Sequence, residues 1–476
     1  GGLAGLNSGT ISQCFASSIV SATSGGGIAG TNTGTIISSF WNNNASNPPD
    51  CYIGGNSGCT AISDDDSYFK GNCYPHSDPF ADWAFYGTWN EVEGNYPALV
   101  WQDIGGVSLN GSGSPGDPFN ISICDELQAM EDNLSAEYVL VSDINCSDYS
   151  RFGESDGLRP IGCGPSNCGP RDENSPFTGS LDGSNFTINS LYINRSDEYY
   201  VGLFGYLDGA NISDVRIFAA EIHGMQDVGG LAGRSDDSNI SGSHIQGSIT
   251  NSAGNLGGIV GNNNGNISES YASIILTGGS GDNIGGLIGR NTGFINNSHV
   301  SGDVTGDDNV GCFIGYNLEG TINNSYAVCD VFGDNQVGGF MGSSRGNNAF
   351  NSFSASDVDG TGLNINSFIG LIDGSLLQNV HWARGPTSTT SCHSSGNQNC
   401  SSVASSSHFY TPCFAPINSW DVETPIWGSS GNAYPKLYWE DGFEEAGDCP
   451  VCGDGVCELW ETQSNCPEDC DSSSCN

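Results

Sequence analysis

Apolar residues along most of this chain come singly or in short clusters, set between Gly, Asn, Ser and Asp, and the clusters recur at a fixed interval. Residues 229–233, GGLAG, return as GGIVG from Gly257, GGLIG from Gly285, GCFIG from Gly311 and GGFMG from Gly338. Degenerate copies stand at Val201 (VGLFG) and Asn366 (NSFIG), so successive starts lie about 26 to 28 residues apart. Two more copies open the chain, at Gly1 and Gly26. A second column runs in phase: Ile212, Ile240, Ile267, Ile295 and Ile322, with Ile11 and Ile36 near the N-terminus. An aromatic or His follows in several units (Tyr271, His299, Tyr326, Phe353), and a third, weaker column holds Val304, Val331 and Val358.

Each unit therefore predicts three short strands joined by Gly, Asn and Asp turns. Strands this short are not stable alone. They must stack on the next unit at about 4.8 Å, placing Ile on Ile inside and Asn, Ser and Asp outside. The fold class expected is all-β, a parallel β-solenoid (β-helix) with coils of about 27 residues and disulfide-stapled irregular caps. A propeller is disfavoured, because its blades need about 40–50 residues. The paired glycines are expected to supply positive φ and close approach at a corner.

An irregular Cys/Trp-rich cassette follows each run of repeats. In the first, Trp41 precedes Cys51, Cys59, Cys73, Trp83, the segment Tyr96-Pro97-Ala98-Leu99 and Trp101. In the second, Trp382 precedes Cys392, Cys400, Cys413, Trp420, Tyr434-Pro435-Lys436-Leu437 and Trp439. Its expected task is to cover the open end of a solenoid, whose unpaired N–H and C=O groups template aggregation. The boundaries that follow are 1–45 (last coils of a first solenoid), 46–102 (its cassette), 103–160 (N-terminal cap of a second module), 161–382 (second solenoid), 383–441 (second cassette) and 442–476 (cysteine-rich tail). A short helix is expected over residues 124–130, within that cap.

With Gly230-Leu231-Ala232-Gly233 and Gly286-Leu287-Ile288-Gly289, the units resemble the GLUG repeat family of secreted and surface-attached proteins. That resemblance implies an adhesin-like cell-surface β-helix, a scaffold rather than an activity. The tail, C-x-x-C-G-D-G-V-C followed by C-P-x-D-C, resembles a small acidic cysteine-rich motif of secreted surface proteins.

Composition narrows the partners. The chain has 476 residues with 70 Gly but only 18 Pro, and lacks a Gly-X-Y period, which excludes collagen. Acids outnumber bases 54 to 11, a formal charge of −43, against a nucleic-acid or anionic-membrane partner. Such acidity also fits a high-salt environment. No apolar run approaches the roughly 20 residues of a membrane span. The chain starts with Gly, so a processed or truncated end, a lost export signal and further sequence upstream are expected. Nineteen cysteines point to an oxidising, extracellular or cell-surface location.

The candidate chemistry is sparse. Disulfide candidates are Cys51, Cys59, Cys73, Cys124, Cys146, Cys163, Cys168, Cys392, Cys400, Cys413, Cys449, Cys452, Cys457, Cys466, Cys470 and Cys475. Cys124–Cys146 and Cys163–Cys168 are the local bridges expected, and Cys14 belongs to a first-module set able to pair internally. No cofactor is required. Asp448, Asp454, Glu461 and Asp469 in the tail either bind Ca²⁺ or form the acidic face of a disulfide knot. Sequons stand at Asn44, Asn110, Asn120, Asn133, Asn145, Asn185, Asn194, Asn211, Asn239, Asn266, Asn296, Asn323 and Asn399, a glycan stripe or the product of an Asn- and Ser-rich composition. Arg195, Arg216, Arg234, Arg290 and Arg345 are scattered, and no H-E-x-x-H or G-x-S-x-G is present.

These readings converge on a non-catalytic extracellular structural protein, a rod-like subunit of an appendage, filament or sheath, whose partner is itself, head to tail or laterally. An adhesin binding a glycan or host protein, with Tyr199, Tyr200 and Phe204 as its platform unless Phe204 packs in the core, is the alternative. A polysaccharide lyase or hydrolase comes third, because β-helices host both.

Overall fold

A computed structural model of the chain describes residues 2–12, 14–16, 20, 25–42, 49–62, 89–90, 98–99, 109–147, 149, 156–164, 175–280, 283–346, 348–383, 391–396, 399–403, 427–429, 436–440 and 444–445. It is a parallel β-solenoid with about 27 residues per coil and is nearly all β. The chain forms two compact units: residues 1–108 with 150–155 and 168–173, and the remainder.

In the first unit, three strands of one coil pair in parallel with those of the next. Ala4–Asn7 lies on Ala29–Asn32, Thr10–Ser12 on Thr35–Ile37, and Phe15–Ala16 on Ser39–Asn42. Ile28, Ile36 and Trp41 fill the interior. Cys59–Ile62 adds a last strand on Ser39–Asn42, and Cys51 is disulfide-bonded to Cys59. Trp89–Asn90 and Ala98–Leu99 form a small antiparallel pair with Trp89 opposite Leu99.

The second unit opens with a cap. Strand Phe119–Ile121 pairs with Glu137–Leu140, and between them run the helix Cys124–Gln128 and the 3₁₀ turn Ala129–Asp132. Leu127 and Met130 are fully buried, and Cys124–Cys146 ties the helix to the first coil. Tyr138–Ile144 reads from its sequence as the first strand, yet Phe119–Ile121 precedes it on this sheet.

From there a single 30-stranded sheet winds through the unit. The inward columns are continuous. Ile212, Ile240, Ile267, Ile295 and Ile322 pair in register and are at most 1% exposed. Ile188, Leu191 and Ile193 are buried in the same core. Phe313, Phe340 and Phe368 stack at 4.7 and 4.8 Å, nearly parallel, the geometry that one coil rise imposes on identical side chains.

Glycines of the GG pairs do not adopt the positive φ expected of them. That conformation falls instead on Asn and acidic residues at another corner: Asp214, Glu269, Asn297, Asn324, Asn351 and Asn379, with φ of 46 to 56°. Asn and Asp tolerate the left-handed region best among residues with a side chain. The GG pairs serve close approach: a Cβ on Gly285 would lie 2.1 Å from the Ile288 carbonyl oxygen.

Polar side chains inside the coils form ladders. Asn263 Nδ2 donates to Asn291 Oδ1 at 2.9 Å, and Asn291 Nδ2 to Asn317 Oδ1 at 2.8 Å. All three are fully buried. A serine ladder runs beside the Asn corner: the backbone N–H of Ser243, Ser270, Ser298 and Ser325 each donates to the next coil's serine Oγ, ending at Ser352. These bonds satisfy groups that would otherwise be stranded away from water.

Candidate functional site

Two flanks of the second unit carry side chains beyond those the coil needs. The first is the aromatic column. Arg216, His244, Tyr271, His299, Tyr326, Phe353 and His381 follow one another in register on the outer side of successive coils. The ring pairs His244–Tyr271, Tyr271–His299, His299–Tyr326 and Tyr326–Phe353 lie 4.2, 4.9, 4.6 and 5.1 Å apart. The last three are parallel within 7°.

The second cassette divides its work on this unit. Its first half builds the end of the stack. Cys400–Val403 pairs in parallel with Leu376–Ala383, Cys392 and Cys400 are disulfide-bonded, and the Phe368 and Ile369 N–H groups donate to the Cys392 carbonyl. The described residues of its later segment are placed along a side of the coils instead of over that end. Leu437, Trp439 and Glu440 lie along the aromatic flank. Trp439 sits 5.6, 6.3 and 5.7 Å from the rings of His244, Tyr271 and His299, and its indole N–H donates to the Asn297 carbonyl at 2.8 Å. Leu437 is fully buried in a cluster with Tyr326, Phe353 and Ala383. Glu440 Oε1 accepts from the Leu437 N–H at 2.7 Å and stands 3.7 Å from His299 Nδ1. Burial, and after it the hydrogen bond that its hydroxyl donates to Glu269, push the Tyr438 phenol up to about 12. The flank is outward relative to the coils and so attracts apolar cover, which this segment supplies.

Burial, and secondarily the neighbouring His244, push His299 down to about 3. In the unfolded chain a histidine titrates near 6.5. Between those values the unfolded chain holds a proton the folded ring lacks, so stability from His299 is complete above about pH 6.5 and is lost as pH falls. His381, pushed down to about 4 by burial, acts in the same sense. Asp214 and Asp227, both raised chiefly by burial, act in the opposite sense. His299→Phe, which extends the Phe353 stack, isolates the first effect. Its advantage over the unaltered chain is expected to grow by about 3 kcal/mol from pH 7 to pH 4. Thermal unfolding of both chains at the two pH values measures it, and a gap independent of pH would refute it.

The second flank holds Tyr206, Arg234, Asn262, Arg290 and Tyr316 in register. Asp236 joins two of them, accepting from Arg234 Nη2 at 2.7 Å and from the Tyr206 hydroxyl at 2.8 Å. The Arg234 guanidinium lies 5.3 Å from the Tyr206 ring centre. Tyr200 stacks on Tyr206 at 6.3 Å and Tyr199 follows at 6.4 Å, both half-buried. Asp227 is buried, its carboxylate held by Asn255 Nδ2 at 2.5 Å. Arg290 donates to Asn262 Oδ1 at 3.3 Å and has no ion-pair partner among the described residues. Of the remaining arginines, Arg195 faces Asp156 at 3.7 Å, Arg216 donates to Asn185, and Arg345 faces Asp373 at 3.6 Å. Phe204 belongs to the core, 4.9 Å from Phe177.

Among the cysteines, Cys163 is also disulfide-bonded, and Cys312–Cys329 forms a bridge absent from the sequence candidates. Cys312 occupies the second position of a GG pair, a substitution that signals it. Cys14 is free, its thiol raised by burial, so it does not join the first unit's bridge. Cys73, Cys168, Cys413 and the tail cysteines Cys449, Cys452, Cys457, Cys466, Cys470 and Cys475 lie outside the described residues, as do Asp448, Asp454, Glu461, Asp469 and Asn44. Among the described residues no group of three His, Cys, Asp or Glu is placed to hold a metal ion, and no helix is long and apolar enough to cross a membrane.

Of the sequons, Asn110, Asn133, Asn145, Asn185, Asn211, Asn239, Asn266 and Asn399 are exposed, and Asn120, Asn194, Asn296 and Asn323 half-buried. Asn211, Asn239 and Asn266 form one exposed column, in which Asn266 donates to Asn239 at 3.0 Å.

No protein-family model matches the chain. The GLUG resemblance therefore stands on its motif residues alone. A stretch of 128 residues, 26% of the chain, is 37% identical to halomucin of Haloquadratum walsbyi. Another of 110 residues, 23% of the chain, is 32% identical to an Evansella cellulosilytica protein named "Putative Gly-rich membrane protein". The matches span 1% and 12% of these relatives' lengths. Among solved structures, a "putative immunoglobulin A1 protease" from Bacteroides ovatus aligns over 70% of this chain and 95% of its own, at 17% identity and a TM-score of 0.43.

Proposed function

We propose that the chain is a non-catalytic structural subunit, secreted or displayed at a cell surface, that associates with itself. The observation that carries this reading is the coil-on-coil parallel pairing of the second unit, 30 strands in one sheet among the described residues, with local register shifts near Arg195, Ile217 and Asp236. Buried Asn263, Asn291 and Asn317 bond from coil to coil, which resists fraying. The disulfides fit an oxidising compartment. The short matches to halomucin and to a protein named for a membrane support the same location. The net charge of −43 keeps such subunits apart except where specific contacts form. Sedimentation and electron microscopy of the oxidised chain at high concentration test it. End-to-end or lateral assemblies are expected, and a monodisperse monomer at every concentration and salt would overturn self-association.

The flank of Tyr199, Tyr200, Tyr206, Arg234 and Arg290 favours a second reading, a glycan-binding surface. Rings beside guanidinium and amide groups suit sugar faces and hydroxyls. Loss of glycan-array binding on changing Tyr199 and Tyr200 together to Ala supports it; an array with no binding rejects it.

A further inference from the structure

We propose that the aromatic flank of coils His244 to Phe353 is a docking surface for the Leu-x-Trp hairpin of a second copy of this chain, so that copies join by exchanging hairpins. The inference rests on the self-association reading and gives it a contact.

Three observations point to this surface. The first is that the hairpin is a repeated device. In each cassette an antiparallel pair sets a Trp opposite the Leu of Leu-x-Trp: Trp89 opposite Leu99, and Trp427 opposite Leu437. The second is that the seat is specific in chemistry and not only greasy. Trp439 covers three rings and bonds the Asn297 carbonyl, and Leu437 fills the space at Tyr326 and Phe353. Without the hairpin, a strip of stacked rings and a backbone carbonyl of the buried Asn297 face water. The third is reach. Twenty-three residues separate Val403, on the last coil, from Trp427. Fully extended they span up to about 80 Å, whereas the five coils from His244 to Phe353 rise only about 20 Å.

All the contacts just named are made by residues 437–440, so a hairpin from another copy makes the same contacts as the chain's own. The choice between them is then one of concentration. Dilute chains then close on themselves and crowded ones exchange. Exchange that passes from copy to copy gives an open array, without any new interface.

Complementation of two full-length variants tests this. In one, Leu437→Ala with Trp439→Ala removes the hairpin's grip and leaves the seat. In the other, Tyr271→Ser with Tyr326→Ser spoils the seat and leaves the hairpin; Ser401 already occupies this column, opposite His381. Far-UV circular dichroism checks that both keep the β fold. Each alone is expected to sediment as a monomer, and their mixture as a 1:1 complex. Folded variants that stay monomeric when mixed overturn the proposal. So does a mixture that stays monomeric while a synthetic peptide of residues 427–445 binds the first variant, since the seat then serves one chain only. If the unaltered chain assembles but the variants do not complement, the exchange fails and the structural-subunit reading survives. If they complement while the unaltered chain never assembles, the surface stands and that reading falls.

Discussion

Asn291→Asp is expected to open the coils on both sides of it. The side chain is fully buried, gives its N–H₂ to Asn317 and Gly293, and accepts from Asn263 and the Gly293 N–H. Asp is nearly the same shape but has no amide donor, so the Asn317 oxygen loses its partner and a charge sits where water cannot reach. The lost donor costs about 1–3 kcal/mol, and the unpaired buried charge costs more. A loss of at least about 4 kcal/mol in local stability follows. Because the ladder joins each coil to its immediate neighbours, a single melting temperature understates the effect. Amide hydrogen exchange is the suitable measurement. Protection should collapse around residues 263, 291 and 317 at pH 7 and partly return when the carboxyl is protonated. Unchanged protection at pH 7 would sink the interpretation of the ladder.

Gly315→Val is expected to be as damaging for a steric reason. The last glycine of the five-residue motif passes close to the turn of the preceding coil. A Cβ on Gly315 would stand 2.4 Å from the Ile284 nitrogen and 2.5 Å from the Asn283 carbonyl carbon. Both are backbone atoms, held by coil-to-coil bonds, so neither can step aside cheaply. Overpacking against movable side chains costs about 1–3 kcal/mol, and here the cost exceeds that range. Limited proteolysis should cut near residue 315 in the variant and not in the unaltered chain; equal resistance would show that the turn can yield.

The solenoid was legible because its cause is periodic. Columns such as Ile240–Ile267–Ile295 are set by the repeat length itself, and the same arithmetic placed Asn211, Asn239 and Asn266 on one exposed stripe. The GG motif was read for the wrong property. Positive φ at Asn297 and Asn324 needs only a local residue that tolerates it, whereas the glycines answer to the neighbouring coil, which a single unit does not display. That is also why Cys312 was not paired with Cys329: the contact crosses the interior of a coil. The aromatic column was visible as Tyr271, His299, Tyr326 and Phe353, yet not what covers it. Trp439 meets Asn297 across 142 residues, and nothing periodic links the two.

That long-range contact changes how the protein comes apart. A stack whose layers touch only their neighbours unzips from its tips, one rung after another, and yields gradually under heat or load. Trp439 and Leu437 instead tie the rung of His244 to that of Phe353, so none of those between can be released before the hairpin lifts. The middle of the stack should therefore give way as a block, at a threshold rather than along a slope.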